Sequence, residues 1–492
     1  MRRALSAAVV AVTVAACSPA QQAAAPTPPP NLGRTLAGKI NADAIYTHLR
    51  KFDDIAAANK GSRADGTPGY DASVDYVANI LRDKGFDVLT PQYRRLVPGP
   101  PGYPTLEVSG RKLPVGQASL LVPTPAGGLS APSLHAVKPA GCAATDYGTL
   151  NLRGAIAVVD DTGCSVVDKQ NVAVARGAVA VLVVSVPGPN GSPPGLFTPG
   201  YYEKLTTPVA VIGRDADTAL LQTSAPVRLT LDGKASTVMS RNVVAQTKTG
   251  DAHNVVVAGA HLDSAPDRPG INDNATGVAA LLETAAALGG SPRVSNAVRF
   301  TFWGSGAADQ EGSTTYVRGL DDGNLNDIAL YLDFGMLGSP NAGFFTYDGD
   351  QSGQLNPAIA IESVPPGSAG LERTLAGYLY LAGKRPADMT LSLATDYGAF
   401  LTAGVPIGGV TTGSSQRKSA VQARLWGGQA GVSFDPGYGT PRDMGDKLDA
   451  LNRDALIVTC PAVAFAVGTY AQSLTGPNGV PTHEQRHRSA GK

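Results

Sequence analysis

The stretch Val255-Val-Val-Ala-Gly-Ala260, followed at once by His261-Leu-Asp-Ser264, predicts the centre of the fold. A continuous apolar run predicts a central strand that is covered on both faces. Residues 274–288 predict a helix that ends at Gly289-Gly290. The polar residues after the strand therefore lie at its carboxyl end, where sites form in parallel sheets.

Further strands and helices alternate on both sides of this stretch. Apolar residues predict strands at 297–303 and 328–334, and helices at 370–384 and 453–473. Residues 40–90 predict helices that lead into another strand. This order predicts an α/β fold, a three-layer α/β/α sandwich around a mostly parallel sheet.

Residues 115–238 have a different character, with short apolar strands and many turns. Strands are predicted at 155–159 and 178–186, with a helix at 172–176 between them. This region is therefore an inserted, β-rich domain. The predicted division of the chain is a leader at 1–17, a tether at 18–38, a main domain at 39–114 and 239–475, the inserted domain at 115–238, and a polar tail at 476–492.

The N-terminus has the pattern of a bacterial lipoprotein leader. Arg2 and Arg3 precede a short apolar run that ends in small residues before Cys17. An acylated Cys17 would anchor the exported chain to the outer face of the cytoplasmic membrane. An ordinary signal peptide with a chance cysteine is the alternative. The Pro- and Ala-rich tether suits a spacer between membrane and fold.

Charge and cysteine content limit the partners and the covalent structure. The chain has 40 basic and 40 acidic residues, and this balance argues against nucleic acid or an anionic surface held by bulk charge. Export permits disulfides, and Cys142 and Cys164 lie close enough along the chain to be the predicted pair. Cys460 lies in an apolar stretch and is predicted to be a buried thiol.

Three polar residues around the central strand could carry metal chemistry. His261 at a strand end can bind zinc, and Asp263 can orient its second ring nitrogen. Asp273 at a helix start could bridge two cations. The alternative is that Asp273 or Asn272 only caps the helix.

These phrases resemble a known family. Gly259-Ala-His-Leu-Asp-Ser264 and Pro269-Gly-Ile-Asn-Asp-Asn-Ala-Thr-Gly277 are similar to the metal loop of the secreted bacterial leucyl aminopeptidases, which are two-zinc exopeptidases. The likeness extends over nearly all of residues 40–475 and includes Gly338-Ser-Pro-Asn341. The inserted domain resembles the protease-associated domain. With its leader, the chain is close to the lipoprotein aminopeptidases.

The resemblance implies five zinc ligands and one glutamate that acts as general base. His261 and Asp273 stand at two ligand positions, and Tyr438 stands at the position of the oxyanion-stabilising tyrosine. The other positions hold residues without donor side chains: Gly306 for the base, and Ala307, Gly335 and Gly439 for three ligands. Weak or no zinc binding is therefore expected.

Other residues could replace the missing groups. Asp333, Asp309 and Glu311 are candidates for a remodelled one-metal site. His483 and His487 in the tail are predicted to be solvated.

Three hypotheses follow from this pattern. A catalytically degenerate homologue would bind peptides or an envelope protein. The others are an active aminopeptidase with a remodelled site and a purely structural envelope lipoprotein.

Overall fold

The structure is a computed structural model in which two compact units are distinguished. The described residues are 31–99, 102–186, 195–198 and 200–488. One unit contains the chain up to Tyr93 and from Ser240 onward, and the other spans Arg94–Met239. The predicted leader and Cys17 lie outside the described residues. Two paired strands, Gln92–Pro98 and Ala235–Arg241, carry the chain between the units.

The first unit is built on an eight-stranded sheet. In spatial order its strands are Asp87–Leu89, Val243–Gln246, Asn296–Trp303, Asp251–His261, Ile328–Phe334, Ile407–Thr411, Phe345–Tyr347 and Ala387–Met389. The four strands at the centre of this order pair in parallel, and antiparallel pairs flank them. The predicted α/β fold with a mostly parallel sheet is confirmed.

The central strand Asp251–His261 has apolar residues on both faces. Val256, Ala258 and Ala260 pack in one hydrophobic core, while Val255 and Val257 pack in a second core on the other face. Successive strand side chains point to opposite faces, so one uninterrupted apolar run serves both cores.

Helices cover both faces of the sheet. Those contributing to the larger core are Leu32–Ala37, Ala42–Ala58, Pro68–Asp83, Thr276–Leu288, Ser368–Leu381 and Arg453–Gln472. Those contributing to the second core are Glu311–Arg318, Asp322–Asp327 and Asp396–Thr402, and a further helix spans Ala420–Trp426. Helix Arg453–Gln472 is long and apolar enough to cross a membrane, but 67% of that stretch is buried inside the unit, as in a core helix.

The tether predicted at 18–38 does not reach residue 38. Residues Leu32–Ala37 form a helix in which Leu32 and Leu36 are buried. A Cβ at Gly33 would lie 2.6 Å from the carbonyl oxygen of Phe465, so the missing side chain lets the two backbones approach closely. The predicted boundary is wrong because these small and apolar residues pack on the C-terminal helix.

The second unit contains two sheets. The five-stranded sheet is ordered Gly116–Gln117, Val209–Ile212, Ala180–Val184, Ile156–Asp160 and Ser133–His135. The four-stranded sheet is ordered Arg111–Pro114, Thr105–Val108, Val227–Thr230 and Leu129–Ala131. Its helices are Val166–Ala175, Tyr201–Lys204 and Arg214–Leu221. The unit is β-rich, as predicted, and has two cores of its own.

The start of this unit differs from the predicted boundary at 115. Strand Thr105–Val108 pairs with both Arg111–Pro114 and Val227–Thr230, so the unit begins at Arg94. Within it, Cys142 and Cys164 are joined by a disulfide, with 5.8 Å between their Cα atoms. In the first unit, Cys460 is a buried free thiol.

Candidate active site

His261 and Asp273 lie against each other at the carboxyl end of the central strand. His261 is the last residue of that strand, and Asp273 lies in the short turn Ile271–Ala275. The Nε2 atom of His261 is 2.9 Å from the Oδ1 atom of Asp273. The two donors that the family resemblance retains are therefore hydrogen-bonded to each other.

The turn that carries Asp273 shortens the predicted helix. The helix begins at Thr276 rather than Asn274, because Asp273 and Asn274 have non-helical backbone angles. Its N-cap residue is Ala275, so neither Asp273 nor Asn272 caps it. The Asp273 carboxylate points to His261 instead.

The second ring nitrogen of His261 faces Asp263. Its Nδ1 atom lies 3.2 Å from the backbone carbonyl oxygen of Asp263 and 3.5 Å from the carboxylate Oδ1 atom. Burial disfavours the charged imidazolium, but the carboxylates of Asp263 and Asp273 outweigh it and raise the pKa of His261 well above its ordinary value. The His261 side chain is thus held between two carboxylates.

The loop at Gly306 and Ala307 closes over Asp263. The backbone N–H groups of Gly306 and Ala307 donate to the two carboxylate oxygens of Asp263, at 2.8 and 3.2 Å. A Cβ built on Gly306 would overlap the Cβ and Cγ atoms of His261. This backbone has no space for a side chain at Gly306, the position that the resemblance predicts for the general base.

Gly335, the position predicted for the second zinc-binding aspartate, leaves little room for a side chain. A Cβ at Gly335 would meet the nearest atom, Nδ2 of Asn274, at 3.2 Å. Asp333 is buried and accepts a hydrogen bond from the Tyr331 hydroxyl at 3.0 Å. Burial and the Asp396 carboxyl raise the pKa of Asp333.

Tyr438 and Gly439 border the site on the opposite side. The Tyr438 hydroxyl donates to the Oδ2 atom of Asp273 at 2.7 Å, and the Asp273 charge raises the pKa of Tyr438. Gly439 has a φ of +75°, and a Cβ there would meet no atom within 4 Å. The place of the last zinc-binding histidine is therefore open space beside a left-handed backbone.

A small acidic cleft opens between these residues. Its volume is about 200 Å³. The lining residues are Ala265, Arg268, Asn272, Asp273, Ala307, Asp435, Tyr438, Gly439, Asp443, Gly445 and Asp446.

Asp309 and Glu311 accept hydrogen bonds at the start of helix Glu311–Arg318. Asp309 accepts a hydrogen bond from the backbone N–H of Glu311, and the Glu311 carboxylate accepts one from the Thr315 hydroxyl. Among the described residues, the groups of three or more side chains that could bind one metal ion do not include His261 or Asp273.

Of the other five histidines, four contact a carboxylate outside this site and His487 is exposed. His48 contacts Glu283, and His135 contacts Asp217. His487 is exposed, as predicted. His483 is not simply solvated, because the tail folds back and places its Nε2 atom 3.1 Å from the Asp327 carboxylate.

Sequence reasoning gave no structural role to Arg63, which organises the loop after His261. Arg63 is fully buried and donates to the backbone carbonyls of Leu262, Pro269 and Gly270. In the sequence, Arg63 stands in the phrase Gly61-Ser-Arg63, within the residues 40–475 over which the family likeness extends. The geometry of the site therefore depends on a residue that lies 198 positions before His261.

Comparisons with known proteins identify relatives over most of the chain. A model of peptidase family M28 matches residues 242–462, and a PA domain model matches residues 129–220. The chain is 46% identical over 461 residues to the probable lipoprotein aminopeptidase LpqL of Mycobacterium tuberculosis, over 92% of this chain and 89% of that protein. It is 35% identical over 442 residues to an aminopeptidase of Pseudomonas aeruginosa, over 87% of this chain and 80% of the relative.

The fold is also found in a solved structure. The aminopeptidase from Aneurinibacillus sp. strain AM-1 superposes with a TM-score of 0.52 at 21% identity, over 89% of this chain and 96% of that one. The predicted resemblance is confirmed by the identity shared with the two sequence relatives over most of their length. This chain belongs to peptidase family M28 and carries an inserted PA domain.

Proposed function

We propose that this protein is a catalytically degenerate member of its family, which holds the N-terminal end of peptide chains in the acidic cleft without cleaving them. The observation that carries the proposal is the loop at Gly306. Its backbone N–H groups bind the Asp263 carboxylate, and a side chain at 306 would overlap His261. A base that moves a proton must be within hydrogen-bond reach of the reacting water, and residue 306 has no side chain that could act as one.

The metal-binding residues support the same proposal, because the donor set does not fit a two-zinc centre. His261 and Asp273 are the two retained donors, and they bind each other. Catalytic zinc sites use three protein ligands for each ion. Ala307, Gly335 and Gly439 have no donor side chains, so weak or no zinc binding is expected at this place.

The charge and size of the cleft suit the end of a peptide. Four aspartates, Asp273, Asp435, Asp443 and Asp446, line it beside Arg268. Carboxylates attract an α-ammonium group. A volume of about 200 Å³ is below the ~300–1,000 Å³ of typical small-molecule sites, so the cleft admits a chain terminus rather than a longer segment.

The test measures binding and turnover on the same untagged protein. We expect no metal-dependent hydrolysis of leucyl-p-nitroanilide after zinc addition, because the general base alone typically contributes ~10²–10⁴-fold. Calorimetry with a short unblocked peptide should show binding that is weakened by Asp273→Asn and by acetylation of the peptide N-terminus. The Ala307→Glu/Gly335→Asp/Gly439→His variant restores the three ligands and should gain zinc without gaining turnover.

Two results would contradict the proposal in different ways. Two zinc ions bound per unmodified chain, together with metal-dependent turnover, would favour an active enzyme with a remodelled site. Absence of both turnover and peptide binding would favour a structural lipoprotein. Asp449→Asn, at a position outside the cleft, is the matched control for the loss of one carboxylate.

We also propose that Cys17 anchors the protein to the outer face of the cytoplasmic membrane. The leader pattern and the name of the M. tuberculosis relative support this location. Cys17→Ala should move most of the protein from the membrane fraction to the soluble fraction, because the acyl chains would be lost. Cys460→Ala removes a buried thiol and should leave the distribution unchanged. Equal membrane association of Cys17→Ala and the unmodified chain would refute the anchor.

A further inference from the structure

Two histidines and one aspartate converge at the end of the central strand remote from the acidic cleft. The Nδ1 atom of His253 and the Nε2 atom of His483 lie 2.9 and 3.1 Å from the same oxygen, Oδ1 of Asp327. The three donor atoms all lie within 4.8 Å of one another. His253 is separated from His261 by eight residues of one strand, so the two places are roughly 25 Å apart.

The separations suit ligands of a single metal ion. Zinc binds imidazole nitrogen and carboxylate oxygen at about 2.0–2.2 Å, which places neighbouring ligand atoms of a tetrahedral site about 3.3–3.6 Å apart. The two nitrogen–oxygen distances, 2.9 and 3.1 Å, are shorter by only a few tenths of an ångström. The His253 and His483 rings are 5.5 Å apart between centroids at an interplanar angle of 60°, so they approach the aspartate from different directions.

Two of the three ligands, His253 and Asp327, lie on regular elements of the first unit. His253 lies near the start of strand Asp251–His261, and Asp327 ends the helix that leads directly into strand Ile328–Phe334. These two strands pair in parallel with Val255 opposite Ile328, which brings His253 beside Asp327. The position of this pair is thus fixed by the register of the central sheet.

Two arginines, of which Arg486 is buried, hold the tail that brings the third ligand. Arg486 donates to the carbonyls of His253 and Asn326 and to the Asn254 side chain. Arg488 donates to the carbonyls of Leu325 and Ile328. His483 is therefore placed beside Asp327 by contacts that do not involve its own ring.

We propose that His253, Asp327 and His483 form a binding site for one divalent transition-metal ion of the zinc class, which fastens the C-terminal tail to the central sheet. Two imidazoles with one carboxylate match the ligand preference of zinc. The His253 side chain is 72% exposed, so solvent can supply the remaining ligand. The Asp251 carboxylate, which accepts from the backbone N–H of His253, adds negative charge nearby.

The test uses zinc alone and an untagged chain. Calorimetry at neutral pH should show one zinc ion per chain for the unmodified protein. His253→Ala and His483→Ala should each weaken this binding by more than about 100-fold, because even loss of an outer partner of a ligand costs about 10–100-fold. Zinc should also raise the Tm of the unmodified protein and not that of either variant.

Two control variants distinguish zinc binding at this site from zinc binding elsewhere on the chain. His487→Ala removes an exposed histidine four positions along the same tail and should leave the affinity unchanged. His261→Ala changes the acidic cleft and should also leave it unchanged. The proposal is overturned if His253→Ala binds zinc as tightly as the unmodified chain, or if His261→Ala abolishes the binding. If the chain binds one zinc ion and the His253→Ala variant loses it, the proposal that the active site is degenerate still stands.

Discussion

Replacement of Gly306 by alanine is expected to lower the Tm by several degrees, although it adds only one methyl group. The new Cβ would overlap the Cβ and Cγ atoms of His261. His261 cannot move away freely, because Asp263 and Asp273 hold its two ring nitrogens. Overpacking of this kind typically lowers the free energy of unfolding by ~1–3 kcal/mol. Because His261 would also lose hydrogen bonds, we expect a loss of stability at the upper end of this range.

Thermal unfolding by circular dichroism measures this effect, and Gly335→Ala is the control. Gly335 lies in the same site, but a Cβ there would meet its nearest neighbour at 3.2 Å, so a small movement accommodates it. Equal Tm values for Gly306→Ala and the unmodified protein would show that the loop moves at little cost. The proposal that this loop excludes a general base would then fail.

Arg63→Met should be the most destabilising of the substitutions proposed in this chain. The guanidinium lies fully buried and donates to the carbonyls of Leu262, Pro269 and Gly270 at 2.5–2.9 Å. Burial lowers the pKa of Arg63 to about 10, so the group remains charged at neutral pH. Methionine fills part of the volume but leaves three carbonyls without these donors, at an expected cost of ~3–5 kcal/mol.

The comparison for this substitution is Arg50→Met. Arg50 is exposed on helix Ala42–Ala58, and its guanidinium donates to the Thr47 hydroxyl at 3.3 Å. Exposed interactions of this kind contribute little to the free energy of unfolding, so Arg50→Met should change the Tm by less than Arg63→Met does. Similar Tm values for the two variants would mean that solvent or a neighbouring group replaces the lost donors. Arg63 would then have no special role in the loop.

The sequence predicted the regular elements of the sheet well, because their apolar patterns are local. The strand Ile328–Phe334 has the predicted bounds, and the central strand extends the predicted run by a few residues. Errors occur where packing between distant segments decides the structure. The predicted tether includes Leu32–Ala37, because the composition of these residues does not show that they pack against the C-terminal helix.

The sequence by itself also determined which chemical groups are present. Through the family resemblance it identified His261 and Asp273 as retained donors, and Gly306 as the residue in place of a base. Side-chain identity follows from sequence alone. It does not reveal where two side chains separated along the chain will meet.

Only the tertiary structure decided what the retained and unassigned residues do. His261 binds Asp273, and the loop at Gly306 closes over Asp263. His253 and His483 meet at Asp327, which is 74 positions from one and 156 from the other. Such contacts depend on strand register and on the path of the tail, because these set the distances between side chains, and hydrogen bonds act over only about 3 Å and metal bonds over about 2 Å.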